Sequence, residues 1–66
     1  MDISSAIRDA TKDDSCIYRE KWVNDYSILP TNTESGMIVI LHEENEILEN
    51  WQPNAEDLIA TDWKLR

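Results

Sequence analysis

The run Met37-Ile38-Val39-Ile40-Leu41 constrains this chain more than any other segment. Five consecutive apolar residues, β-branched at their centre, read as a strand. Side chains on a strand point alternately to its two faces, so this one presents apolar groups on both. A half-solvated antiparallel strand alternates; a strand like this needs cover on each side. The whole chain has only 66 residues with which to supply it. Chains of this size bury only about 60% of the surface that unfolding exposes, and they gain stability from disulfides, a metal or self-association. Cys16 is the sole cysteine and His42 the sole histidine. An internal disulfide and a four-ligand zinc site of Cys and His are both excluded. Self-association remains, and the sequence predicts a homo-oligomer, dimer or tetramer, with a partner covering the strand's second face. The alternative is that two helices straddle the sheet, one per face.

The rest of the chain reads as one α+β domain over 1–66. A small antiparallel sheet of about four to five strands is joined by an N-terminal helix and a short C-terminal helix. Asp2 caps the first helix, and Ile3, Ala6, Ile7 and Ala10 form its apolar stripe. Residues 13–15 end it. A short strand over 16–19 puts Ile17 and Arg19 on one face, Cys16 and Tyr18 on the other. Residues 22–25 form a turn, 26–29 a second strand stopped by Pro30, and 31–35 a polar loop. After the apolar run comes a tight turn at 43–46, then a returning strand marked by Ile47, Leu48 and Trp51. Asn54 caps the second helix with Asp57 as capping-box partner. Its apolar face is expected to be Ala55, Leu58 and Ile59. Residues 63–66 form a closing edge strand.

Charge narrows the function. The net charge is −8, and the six basic residues all lie toward the ends: Arg8, Lys12, Arg19, Lys21, Lys64 and Arg66. Phosphate-backbone binding needs a basic face, so DNA and RNA are not expected partners. A small anion would need those end cations, backbone N–H groups or a helix N-terminus. The start of the sequence lacks the basic and apolar regions of a secretory signal. No apolar run approaches membrane-spanning length. A soluble, cytoplasmic protein without membrane contact is expected.

Catalytic equipment is sparse, and no enzyme and no cofactor are expected. Cys16 reads as a small buried hydrophobe, and His42 as a hairpin residue. The acidic pairs Asp13-Asp14 and Glu43-Glu44 sit in turns, where solvated carboxylates are the rule. Gly36, the only glycine, cannot build a phosphate loop. Aromatic side chains are left: Trp22, Trp51 and Trp63, with Tyr18 and Tyr26. Indoles stack well on bases, contributing about 1–3 kcal/mol each. Trp51, at the hairpin's close, reads as core. Trp22 reads as an exposed turn residue with a face for a ligand, near Arg19, Lys21 and Asn24.

The closing segment, Trp51-Gln52-Pro53-Asn54-Ala55-Glu56-Asp57-Leu58-Ile59-Ala60-Thr61-Asp62-Trp63, resembles that of the second Thoeris anti-defence family. In that family a tryptophan and a polar cap precede Asp-Leu-Leu-Ala-x-Asp-Trp. The opening Ile3-Ser4-Ser5-Ala6-Ile7, the strand and turn Ile17-Tyr18-Arg19-Glu20-Lys21-Trp22, and 26–30 resemble it more loosely. Lys21 stands where the family has a glycine, Val23 where it has an asparagine, and Asn24 where a second glycine follows. The segment 30–36 is shorter than the family's usual insertion.

The resemblance implies a phage protein with a compact α+β fold that oligomerises and sequesters a cyclic nucleotide immune signal without cleaving it. The signal would be a cyclic ADP-ribose isomer or a cyclic oligonucleotide, held at a subunit interface. On that reading Trp22 stacks on a base while Arg19, Lys21 and Asn24 contact phosphate or ribose. Tyr26, Asp62 and Trp63, in the matching segments, complete the candidate set. The competing reading is a small acidic inhibitor that docks on a basic host defence protein. A toxin is a third reading, for which the sequence offers neither a membrane helix nor a catalytic set.

Overall fold

The computed structural model describes residues 1–32 and 36–66, so positions 33–35 of the expected polar loop lie outside the described residues. The fold is α+β. Helix α1 (Ile3–Asp13) leads into strands β1 (Ile17–Arg19), β2 (Tyr26–Leu29), β3 (Ile38–Leu41) and β4 (Glu46–Leu48), then helix α2 (Ala55–Ile59) and strand β5 (Trp63–Leu65). One antiparallel sheet takes the order β4-β3-β2-β1-β5. The apolar run therefore lies beside the edge strand β4, and β2 is central.

Local chemistry sets the boundaries. The Asp2 carboxylate accepts from the Ser5 amide at 2.8 Å, and α1 starts there. It stops where Asp14 turns left-handed, with φ 54°, a conformation that Asp and Asn tolerate better than most residues. Asn45 and Asn50 take the same geometry around β4. Gly36, at φ 79°, occupies the region that glycine enters without steric cost. A 3-10 turn, Glu20–Trp22, links β1 to β2. Trp51 falls outside β4, but its amide still donates to the Met37 carbonyl at 3.0 Å and prolongs the hairpin's pairing.

Register decides which side chains share a face. Ile17 pairs with Ile28, Ile28 with Val39, and Arg19 with Trp63. That face is covered: Ala6 and Ala10 of α1 are fully buried in one core with Ile17, Ile28, Trp22 and Trp63. Helix α1 packs on β1 and β5 and touches α2. Helix α2 joins the same face through Asp57, whose carboxylate meets Arg19 and whose carbonyl accepts from the Trp63 indole N–H. The helices thus do not straddle the sheet.

The other face carries Leu29, Ile38, Ile40 and Ile47, on paired positions of β2, β3 and β4. Ile38 and Ile40 are half-buried and Ile47 is 65% exposed. Among the described residues no helix covers this side. Cys16, just before β1, is likewise half-buried and not sequestered; its partial burial pushes the thiol pKa up. His42 is in the hairpin turn as expected, its Nε2 2.8 Å from the buried Ser27 hydroxyl.

Helix α2 departs most from expectation. Its cap forms: Asn54 Oδ1 accepts from the Asp57 amide at 2.8 Å, and the Asp57 carboxylate answers the Asn54 amide. Its facing is reversed. Asp57 is the buried residue, while Leu58 is 50% and Ile59 78% exposed. The inward Asp57 meets the buried Arg19 guanidinium at 3.1 Å, and a cation buried on β1 is costly without such a partner.

Candidate functional site

Six of the seven residues singled out in the sequence come together around the end of β1: Arg19, Trp22 and Trp63 are buried there, Tyr26 and Asp62 are partly buried, and Lys21 is exposed. Arg19 ends β1 on the covered face, with its side chain 9% exposed. Its Nε donates to Asp62 Oδ1 at 3.0 Å and its Nη1 to Asp57 Oδ1 at 3.1 Å. A third, longer contact reaches Glu56 Oε1 at 3.4 Å. Lys21 Nζ donates to the same Glu56 oxygen at 3.1 Å. Hydrogen bonding from Arg19 holds the Asp62 carboxyl below the usual range despite its partial desolvation. Lys21, and secondarily Arg19, do the same for Glu56. Both cations thus have carboxylate partners within the fold: Arg19 is buried among its own, whereas the Lys21 ammonium stays exposed beside Glu56.

Trp22 is 5% exposed, so the exposed turn indole expected from the sequence does not exist in this chain. The 3-10 turn swings the ring inward, where Tyr26 stacks on it at 4.3 Å with planes 26° apart. Trp63, 1% exposed, meets it edge-on at 5.2 Å. Offset and T-shaped pairs of this kind suit the charge distribution of aromatic rings. Burial, with Asp57 and Asp25 adding to it, pushes the Tyr26 hydroxyl pKa up. Asn24 is the exception: it stays exposed in the turn, apart from the cluster.

Trp51 is the third indole of the cluster, edge-on to Trp63 at 6.0 Å and to Trp22 at 6.5 Å. Unlike those two it is only half-buried. It forms part of the wall of a groove of about 560 Å³, together with Ile3, Ile7, Met37, Pro53 and Leu58. The hydroxyl residues Ser4 and Thr31 also line it. The volume lies within the usual range for small-molecule sites, about 300–1,000 Å³, and so does the mix of an apolar wall with a few polar groups. Sequence reasoning assigned Trp51 to the core and missed the groove, because its walls come from α1, the start of β3, the segment after β4, and α2. A smaller cleft of about 150 Å³ lies between Tyr26, Leu41, Asp25, Glu43 and Glu44. Among the described residues no His, Cys, Asp and Glu are grouped to hold a metal ion, and no helix is long and apolar enough to cross a membrane.

Comparison with known proteins gives one finding. A family model described as the Thoeris anti-defense 2-like domain matches residues 1–66. Neither the curated proteins nor the solved structures give a match.

Proposed function

The chain belongs to the Thoeris anti-defence 2-like family, and we propose that it performs its anti-defence role by binding a cyclic nucleotide signal and holding it unchanged. The observation that carries this reading is the partly exposed Trp51 on the wall of a 560 Å³ groove. An indole with a free face stacks on any base, and aliphatic neighbours exclude water from the stack. The groove wall also carries the Ser4 hydroxyl, which suits a ribose or phosphate oxygen, and the Thr31 hydroxyl, whose proton goes to the Gly36 carbonyl at 2.7 Å. Binding of this kind sequesters without chemistry. The ligand class is a cyclic ADP-ribose isomer or a cyclic di- or trinucleotide, in the cytoplasm of an infected cell.

The groove is built by one chain, and the oligomer forms elsewhere. We assign self-association to the uncovered sheet face of Leu29, Ile38, Ile40 and Ile47, which a second copy would cover as the apolar run requires.

Calorimetry against cyclic ADP-ribose isomers and cyclic di- and trinucleotides tests the reading, followed by chromatography of heat-released ligand. Binding with intact ligand recovered is the expected result. A cleaved product overturns the sponge and makes the protein an enzyme. Silence across the panel favours the second reading, an acidic inhibitor of a basic protein, for which the exposed Glu43, Glu44, Glu46 and Glu49 of the β3–β4 hairpin speak.

A further inference from the structure

The geometry points to Arg8 as the anion contact of the Trp51 groove, an inference that rests on the nucleotide reading above. Four of the other cations are engaged. Arg19 and Lys21 face carboxylates, and Lys64 lies 3.6 Å from Glu20. Arg66 donates to the Val23 carbonyl and lies 4.3 Å over the Tyr18 ring. Arg8 is exposed and makes no close ion pair among the described residues; its charge acts at longer range on the Asp2 carboxylate, whose pKa it helps to lower after the hydrogen bonds from Ser5. Its Nη2 donates to Ser4 Oγ at 3.4 Å, a long bond made one turn back along α1. Helical side chains lean toward the helix N-terminus, which is why residue 8 reaches residue 4. Ser4 lines the groove between Ile3 and Ile7. Arg8 does not itself line the groove, but its contact with Ser4 holds the guanidinium beside the α1 wall.

An anion approaching a protein of net charge −8 is repelled from most directions. A cation at the groove mouth removes that barrier where the ligand enters. A guanidinium also takes two phosphate oxygens at once, which an ammonium does not. The weak Ser4 contact is readily exchanged for a charged acceptor. Lys12, one turn further along α1, extends the positive line away from the groove and adds field without contact.

The test is calorimetry of the full chain with cyclic ADP-ribose and cyclic di-GMP as phosphate-bearing probes and adenosine as an uncharged one. Parent, Arg8→Gln, Arg8→Lys and Lys12→Gln are compared at low and high salt. Arg8→Gln is expected to weaken both phosphate probes by about ten- to a hundredfold, the size of a lost charge-assisted hydrogen bond. It leaves adenosine binding and the thermal midpoint unchanged and flattens the salt dependence. Arg8→Lys recovers part of the loss, and Lys12→Gln has a smaller effect. Equal affinity of parent and Arg8→Gln overturns the assignment while nucleotide binding stands. An equal loss for adenosine overturns it too, by showing a structural role. If the parent binds no probe, the nucleotide reading falls and Arg8 with it.

Discussion

Arg19 and Trp22 show how the same residue types serve a ligand or a fold according to what surrounds them. A cation and an indole beside a polar turn look like a nucleotide site in one dimension. In three, Asp57 and Asp62 arrive from 38 and 43 residues away to take the guanidinium, and Trp63 arrives to pack on the ring. Neither approach leaves a local trace in the sequence, so their framework role was not legible, although their proximity was. Trp22→Ala should then unfold the protein more than it impairs any site, by about 3–5 kcal/mol. A urea midpoint equal to the parent's would return Trp22 to the surface. Arg19→Met should lower the midpoint as well, because Asp57 would stay buried without its cation. Acid should do the same by another route. Asp62 and Glu56 titrate below their ordinary values of 3.8 and 4.5. Depressed carboxylates give their stability above those values and lose it as pH falls through the folded ones. The thermal midpoint should drop as pH is lowered from about 5 toward 2, and less steeply in Arg19→Met; parallel curves would show that the network does not govern the acid limb.

Among the elements, the sequence was most readable where local chemistry decides. The Asp2 cap, the Ile3/Ala6/Ile7/Ala10 stripe, the Pro30 stop and the Asn54–Asp57 capping box are all present. These depend on residues within a turn or two of one another. The facing of α2 was not readable. Periodicity assigns Leu58 and Ile59 inward, but Asp57 is the residue that turns to the core, where it pairs with the Arg19 guanidinium that arrives from β1. Substitutions on the two faces should separate cleanly. Asn54→Ala should cost about 1 kcal/mol through the lost cap, read as a shift in urea midpoint. Ile59→Ser should change stability by no more than about 0.5 kcal/mol, as for other exposed positions. A larger loss from Ile59→Ser would mean that its side chain is covered in solution.

On the scale of the molecule, one layer of helices lies on one face of the sheet and the other face is open. The apolar run announced that imbalance without saying which face the helices would choose. Light scattering should give a mass above the 7.7 kDa of one chain at micromolar concentration. Ile40→Asp, on the open face, should return it to a single chain; a parent that already scatters as one chain would sink the oligomer. The three indoles and Tyr26, joined ring to ring over 4.3–6.5 Å, also have an optical consequence. At such separations, in a fixed chiral arrangement, electronic transitions mix and an excitation belongs to the group instead of to any one ring. Circular dichroism and emission would then report the cluster as a single chromophore. A base laid on Trp51 would be registered in light absorbed by Trp22 and Trp63, rings that the ligand never touches.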